Sequence, residues 1–551
     1  MAPTQLGLLS TAEAAAHLTT LPPDILDPIF QLLYHAWLVD LHRKFGGHSG
    51  SHVRFDYERC QGEFLFAVSL SCRYLRAQSM RWIFREVYNW ETSRGRVWPQ
   101  SIWSYIKIVH LRDRTARTSR PLELSVETIR SLPVMLSLVK ATIRLKASIP
   151  SDLLQALSLA PALSRLEIFQ ARFDGDFPSC TLAFPCLETL VISICGFKAV
   201  AGQSHVDRVK QANNFHSLLG AVSSRLSELR ISGDLISQAF PLLQWPHIRT
   251  FAITEHKPTP YITLSHLISK MPSLRDLQTL YTAEVPPDRA IPVFPSFHLG
   301  DSDSQSALPS CHLLSTATLG NILPGDPILV QLPASLRCLH LRAPVDPFDT
   351  KAGFPQHAHF PLNEHAALHQ LRYLSDLVEL SLDLDSFVTA PLIQQIASAL
   401  PQLEVVEFSL PRFLSVRSPR RFQEKDRDPA ILTTLNLFPH LRHLRITLNF
   451  PRTISDPHHS REVTARWFLA GVPTLERVSF ASHANMYLIG FETRSWDTWD
   501  HSVFDLHWVS PPPTPPPKVD GGHATWEIWP DGTRFLRESK CISDRLSCAR
   551  V

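Results

Sequence analysis

One short phrase recurs so often in this chain that it dictates the kind of fold available. The phrase has apolar residues at its first, fourth and sixth places, the sixth being Thr279 in one copy, and is met thirteen times. It reads IKIVHL from Ile106, LVKATI from Leu138, LSRLEI from Leu163, LETLVI from Leu187, LSELRI from Leu226, IRTFAI from Ile248 and LRDLQT from Leu274. It continues as LSTATL from Leu314, LRCLHL from Leu336, LVELSL from Leu377, LEVVEF from Leu403, LRHLRI from Leu441 and LERVSF from Leu475. Such spacing makes a short strand with one side buried, and stacked copies then share a continuous core. Proline stands just ahead of many copies, as in APALSRL, FPCLETL, WPHIRTF, MPSLRDL, LPQLEVV, FPHLRHL and VPTLERV. There it ends the preceding segment, because a helix cannot continue through it. Helix-capable runs such as PSDLLQALSLA and TAPLIQQIASAL separate the copies. The predicted unit is strand, turn, helix, turn.

The copies lie about 22 to 41 residues apart, against ~20 to 29 in regular leucine-rich repeats. The array resembles an irregular leucine-rich-repeat solenoid, although the Asn or Cys that many such repeats place after the strand is mostly missing. That resemblance implies an α/β architecture over residues 91–500, with parallel strands on a concave face and helices or loops on a convex one. With the first, fourth and sixth places buried, the third and fifth face the concave side. The candidate substrate contacts there are Arg165, Glu167, Glu228, Arg230, Asp276, Glu379, Glu407, His443, Arg445 and Arg477. Acidic and basic residues alternate with no single-sign stripe, which favours a protein partner over a phosphate backbone. The competing reading of any one of them is a solvated strand face.

Ahead of the array, LPPDILDPIFQLL places Ile25, Leu26, Ile29, Phe30 and Leu33 along one helical face. Pro28 leaves two options open: a kinked helix begun at Pro22, or a later start with Asp27 as N-cap and Pro28 at the first helical position. A second apolar piece brings Phe64, Leu65, Val68, Cys72 and Leu75, then Trp82, Ile83, Phe84 and Val87. Residues 34–63 between the two pieces read as an inserted loop. Neither piece is long enough to be stable alone, and burial against a partner helix is the easiest way to cover what their own packing leaves exposed.

These residues resemble the F-box family, with Leu21, Pro22, Asp24, Ile25, Leu26, Ile29 and Phe30 in the opening phrase. Val68, Ser69, Cys72, Arg73, Leu75, Arg76, Trp82 and Val87 stand in the closing one. The resemblance covers residues 18–90, and its spacer is longer than the family's. It implies docking to the Skp-type adaptor of a cullin-RING ubiquitin ligase, with the repeats holding a protein substrate. The adaptor contacts so implied are Leu21, Pro22, Ile25, Leu26, Ile29, Phe30, Val68, Cys72, Leu75 and Trp82. Some of these must instead form the module's own core. The alternatives are that the helices merely cap the solenoid, or that the chain is a non-catalytic repeat scaffold with no ligase role.

Other classes find little support. A net charge of +3 over 551 residues gives no reason to expect nucleic acid or an anionic membrane as partner. No apolar run reaches the ~18 residues of a membrane span, and residues 1–17, read as a flexible N-terminus, have no basic start for a secretory signal. Nine scattered cysteines without a Cys-x-x-Cys pair fit reduced thiols, hence cytoplasm or nucleus. GGHSGS lacks the spacing of a nucleophile elbow, and no phosphate-cradling loop or zinc-protease motif occurs. The pairs His357 with His359 and His458 with His459 lack companions for a metal set. The expectation is therefore no enzyme, no cofactor and no metal. Residues 501–551 read as a polyproline spacer, SPPPTPPPK, and a C-terminal hairpin cap formed by ATWEIWPDGTRFLRE.

Overall fold

The computed structural model describes residues 21–45, 68–70, 72–88, 98–112, 126–145, 148–169, 172–173, 182–193, 205–236, 240–256, 264–282, 312–320, 328–342, 370–384, 388–409, 428–447, 457–481, 501–508, 523–528 and 534–539. The long stretches 283–311, 343–369 and 410–427, the polyproline run, His357 and His359 lie outside them. The chain divides between Leu226 and Ser227 into two compact units.

The first unit opens with helix α1 (Pro23–Phe45) and helix α2 (Arg73–Ile83). The helix begun at the first prolines runs through Pro28, and the N–H groups of Ile25 and Leu26 bond Pro22 O at its start. Asp27 is thus inside the helix and caps nothing. The helix also continues to Phe45, well into the stretch read from sequence as a loop from residue 34. Cys72 caps α2, its sulfur accepting the Leu75 N–H at 3.4 Å.

Strand β1 (Glu86–Tyr88) follows directly and pairs in parallel with β2 (Ile108–Arg112). The residues that close the F-box-like phrase therefore also begin the sheet. Strands β3 (Lys140–Arg144), β4 (Arg165–Phe169) and β5 (Thr189–Ser193) continue it, each parallel to the one before.

The second unit repeats the plan through β6 (Glu228–Ser232), β7 (Thr250–His256), β8 (Asp276–Thr282), β9 (Thr316–Gly320) and β10 (Cys338–Arg342). It goes on with β11 (Glu379–Asp383), β12 (Val405–Ser409), β13 (His443–Thr447) and β14 (Arg477–Ala481). All nine are parallel and in sequential order. Parallel neighbours require a crossover between strands, and helices such as Ala390–Ala399 and Pro457–Gly471 provide it. Each unit is thus an α/β array of leucine-rich-repeat type.

The burial follows the phrase. First-place and fourth-place residues are buried in all thirteen copies, from Ile106 and Val109 to Leu475 and Val478. The hydrogen-bonded strand starts at the third place, so the first-place residue packs from a turn. The N–H of Leu274 bonds Met271 O, that of Leu403 bonds Leu400 O, and those of Leu441 and Leu475 bond Phe438 O and Val472 O. The proline of each such copy occupies the second position of this turn, where its fixed φ is already correct.

After β14 the direction reverses. Strand β15 (His501–Trp508) pairs antiparallel with β14, and β16 (His523–Ile528) pairs antiparallel with β17 (Arg534–Ser539), placing Trp526 opposite Leu536. No helix among the described residues is long and apolar enough to cross a membrane.

Candidate functional site

Helix α1 has two apolar faces. On one, Leu26, Phe30 and Tyr34 close against Leu75 and Trp82 of α2 to make a small sealed core. Trp82 Nε1 donates to Asp27 Oδ1 at 3.0 Å, and Arg81 Nη2 lies 2.8 Å from the same oxygen. Tyr34 and Trp82 rings meet at 5.8 Å, with the Arg85 guanidinium 5.1 Å above Trp82. Tyr74 ties the start of α1 by donating to Leu21 O at 3.1 Å. Tyr34 reaches Glu86 Oε2 at 3.1 Å, and His110 on β2 lies 2.6 Å from Oε1, so the module is joined to the sheet by polar contacts as well as by chain.

On the other face, Ile25 is 47% exposed and Leu32 69% exposed, with Pro22 and Pro28 exposed and Ile29 half-buried. Their spacing by three and four residues makes one stripe. Leu70, just before α2, is 63% exposed.

The structure therefore sorts the sequence-derived adaptor contacts. Leu26, Phe30, Leu75 and Trp82 belong to the module's own core and are corrected to structural residues. Cys72 and Val68 are partly buried against that core, as is Leu21. Pro22, Ile25 and Ile29 remain at the surface, joined by Leu32 and Leu70, which sequence reasoning missed. The period of α1 could have found Leu32, seven residues after Ile25.

On the open face of each sheet, the third, fifth and seventh places meet as rows of polar side chains. In the first unit Glu167 Oε1 takes Lys140 Nζ at 2.9 Å and Arg165 Nε at 2.7 Å, and Oε2 accepts the Thr142 hydroxyl at 3.2 Å. Burial pushes the Glu167 carboxyl up, but Lys140 and Arg165 outweigh it and hold the group below its usual range.

In the second unit Arg230 Nε lies 2.6 Å from Glu228 Oε1. Gln278 donates to Asp276 Oδ2 at 3.1 Å, while Asp276 Oδ1 is buried without a partner. Burial pushes the Asp276 carboxyl up, more than Gln278 and Arg230 pull it down. Farther along, two arginines reach in from β10 and β13 on either side to the carboxylates of β11 and β12. Arg342 Nη1 contacts Asp383 Oδ1 at 3.0 Å and Glu407 Oε1 at 3.1 Å, and Arg445 Nη1 contacts Glu379 Oε1 at 2.7 Å and Glu407 Oε2 at 3.5 Å. Ser409 also donates to Glu407 Oε1, at 2.9 Å.

Between them in register sits Ser381, fully buried, its hydroxyl without a hydrogen-bond partner. Burial pushes the neighbouring His340 imidazole down, and Arg342 adds to this against Glu379 and Glu407. His443 Nε2 and Ser479 Oγ lie 2.7 Å apart, and Arg477 stands in register beside His443.

All ten candidate substrate contacts thus lie on the open faces, but not all are free to meet a partner. Glu167 and Glu407 are buried and held by their neighbours, which corrects their reading as contact residues. Arg342 and Asp383, at the seventh place, were missed because the sixfold phrase was read no further. Their alternation with the fifth place was the signal. Among the described residues no three His, Cys, Asp or Glu side chains converge as a metal set.

No protein-family model matches this chain, and no curated protein matches it. Among solved structures it is similar to a leucine-rich-repeat protein of Leptospira interrogans, at 11% identity over 69% of this chain and 92% of that one, with a TM-score of 0.19. It is also similar to TLR13 in a complex with ssRNA13, at 12% identity over 72% of this chain and 48% of that one, with a TM-score of 0.26. At these scores neither likeness carries weight, and the architecture rests on the strand pairing and burial described above.

Proposed function

We propose that this chain is the substrate-recognition subunit of a Skp-cullin-F-box type ubiquitin ligase. The observation that carries the reading is the second apolar face of α1. A helix whose inner face is already sealed has no internal use for Ile25, Ile29 and Leu32 on the opposite side, and such a stripe is what a partner helix covers. The F-box-like phrase names the partner as a Skp-type adaptor. The repeats would hold a protein substrate, and the mechanism would be proximity: binding raises the effective concentration of the target near a ubiquitin-loaded enzyme recruited elsewhere in the assembly. No side chain of this chain is required to do chemistry, and the cytoplasm or nucleus is the matching location.

Co-purification with a Skp-type adaptor tests this. Capture should be lost on Ile25→Asp with Ile29→Asp, with the circular dichroism of the array unchanged. Absence of capture by the parent chain leaves the other reading, a repeat scaffold without a ligase role.

A further inference from the structure

The second place of each phrase lies just before its strand, at one edge of the sheet. Backbone bonds string these places into a line: Arg275 N–H donates to Arg249 O at 2.8 Å, Ser315 N–H to Arg275 O at 2.9 Å, and Arg337 N–H to Ser315 O at 2.9 Å. Arg249, Arg275 and Arg337 are all exposed. None of the three has an ion-pair partner among the described residues. Farther along the same line the charges alternate, with Glu404 and then Arg442 standing 3.8 Å from Glu476. The cationic stretch is therefore confined to β7–β10.

Parallel strands are ~4.8 Å apart, so Arg249 and Arg275 stand side by side and Arg337 about 10 Å beyond. On the adjoining open face Glu228 is engaged by Arg230, and Asp276 accepts a hydrogen bond from Gln278. Lys270 and the exposed His247 and His312 come from the same copies and supply no negative charge.

We propose that this row docks an extended acidic segment of a partner protein. Guanidinium groups present planar forks matched to carboxylates. Side chains on one face of an extended segment recur every ~6.8 Å, a spacing that flexible arginines at these intervals can meet. A nucleic acid is disfavoured because a net charge of +3 on 551 residues supplies no broad positive field. The proposal rests on the reading of the array as a protein-binding surface and names the chemistry of what it takes.

The test uses the full chain and fluorescence anisotropy with three labelled probes: a Glu-rich peptide, its Gln counterpart, and a single-stranded oligonucleotide of equal charge. The Glu-rich peptide should bind, more weakly as salt rises. The combined change Arg249→Gln, Arg275→Gln and Arg337→Gln should weaken it about tenfold, with unchanged circular dichroism, while Arg442→Gln leaves it as in the parent. Equal binding of the Gln peptide, undiminished binding by the triple variant, or an oligonucleotide held as tightly as the peptide would each overturn the proposal. Adaptor capture measured in parallel separates a failure of this row from a failure of the ligase reading.

Discussion

At Glu407 two arginines, a serine hydroxyl and burial meet in one carboxylate. Removing one partner of a buried ion pair leaves the other charges uncompensated. Glu407→Gln should lower stability by about 3 kcal/mol, read as a shift of the urea midpoint. Glu476→Gln, at an exposed pair, should cost under about 0.5 kcal/mol in the same measurement. Ser381 is the opposite case, since its buried hydroxyl lacks a partner. Ser381→Ala should raise stability by about 1 kcal/mol. Asp276 carries a sign in pH: its folded pKa is raised, so its favourable contribution is full below the unfolded value near 3.8 and is lost as pH rises through the folded value. Asp276→Asn should therefore be more stable than the parent at pH 7, with the difference closing as the pH falls toward 4. Midpoints that move the other way would show Asp276 satisfied as an anion.

The element that repeats is a turn, a short strand and a return segment. Its first-place leucine seals the turn and its fourth and sixth residues seal the strand. Leu403→Ala should cost roughly 2–5 kcal/mol, measured by chemical denaturation, whereas Glu404→Ala beside it should be nearly silent. This contrast was legible in the chain because three buried places in six residues are a local pattern. The exact start of each strand was not, since a residue packed from a turn and one packed from a strand are equally apolar. In α1 the same limit applied to Pro28, where tertiary packing of Leu26, Phe30 and Tyr34 on both sides of it kept the helix continuous despite the missing donor.

For the whole molecule the two proposals amount to two docking surfaces built on different physics, one apolar on α1 and one cationic along β7–β10. They belong to different units and share no residue. Loss of the α1 stripe should leave acidic-peptide binding unchanged, and loss of the three arginines should leave adaptor capture unchanged, each within about twofold, as expected of sites without coupling energy. Paired anisotropy and capture measurements check this.

Sequence by itself determined the repeat, its buried places and the helical module in front of it, because side-chain periodicity and proline placement act over a few residues. Only the tertiary structure decided which residues of that module are core and which are surface, and which charges on the sheet are spent on each other. Leu26 and Ile25 are adjacent and alike in chemistry, and only the position of α2 makes one sealed and the other exposed. Glu407 finds Arg342 and Arg445 only because distant copies of the phrase are stacked side by side.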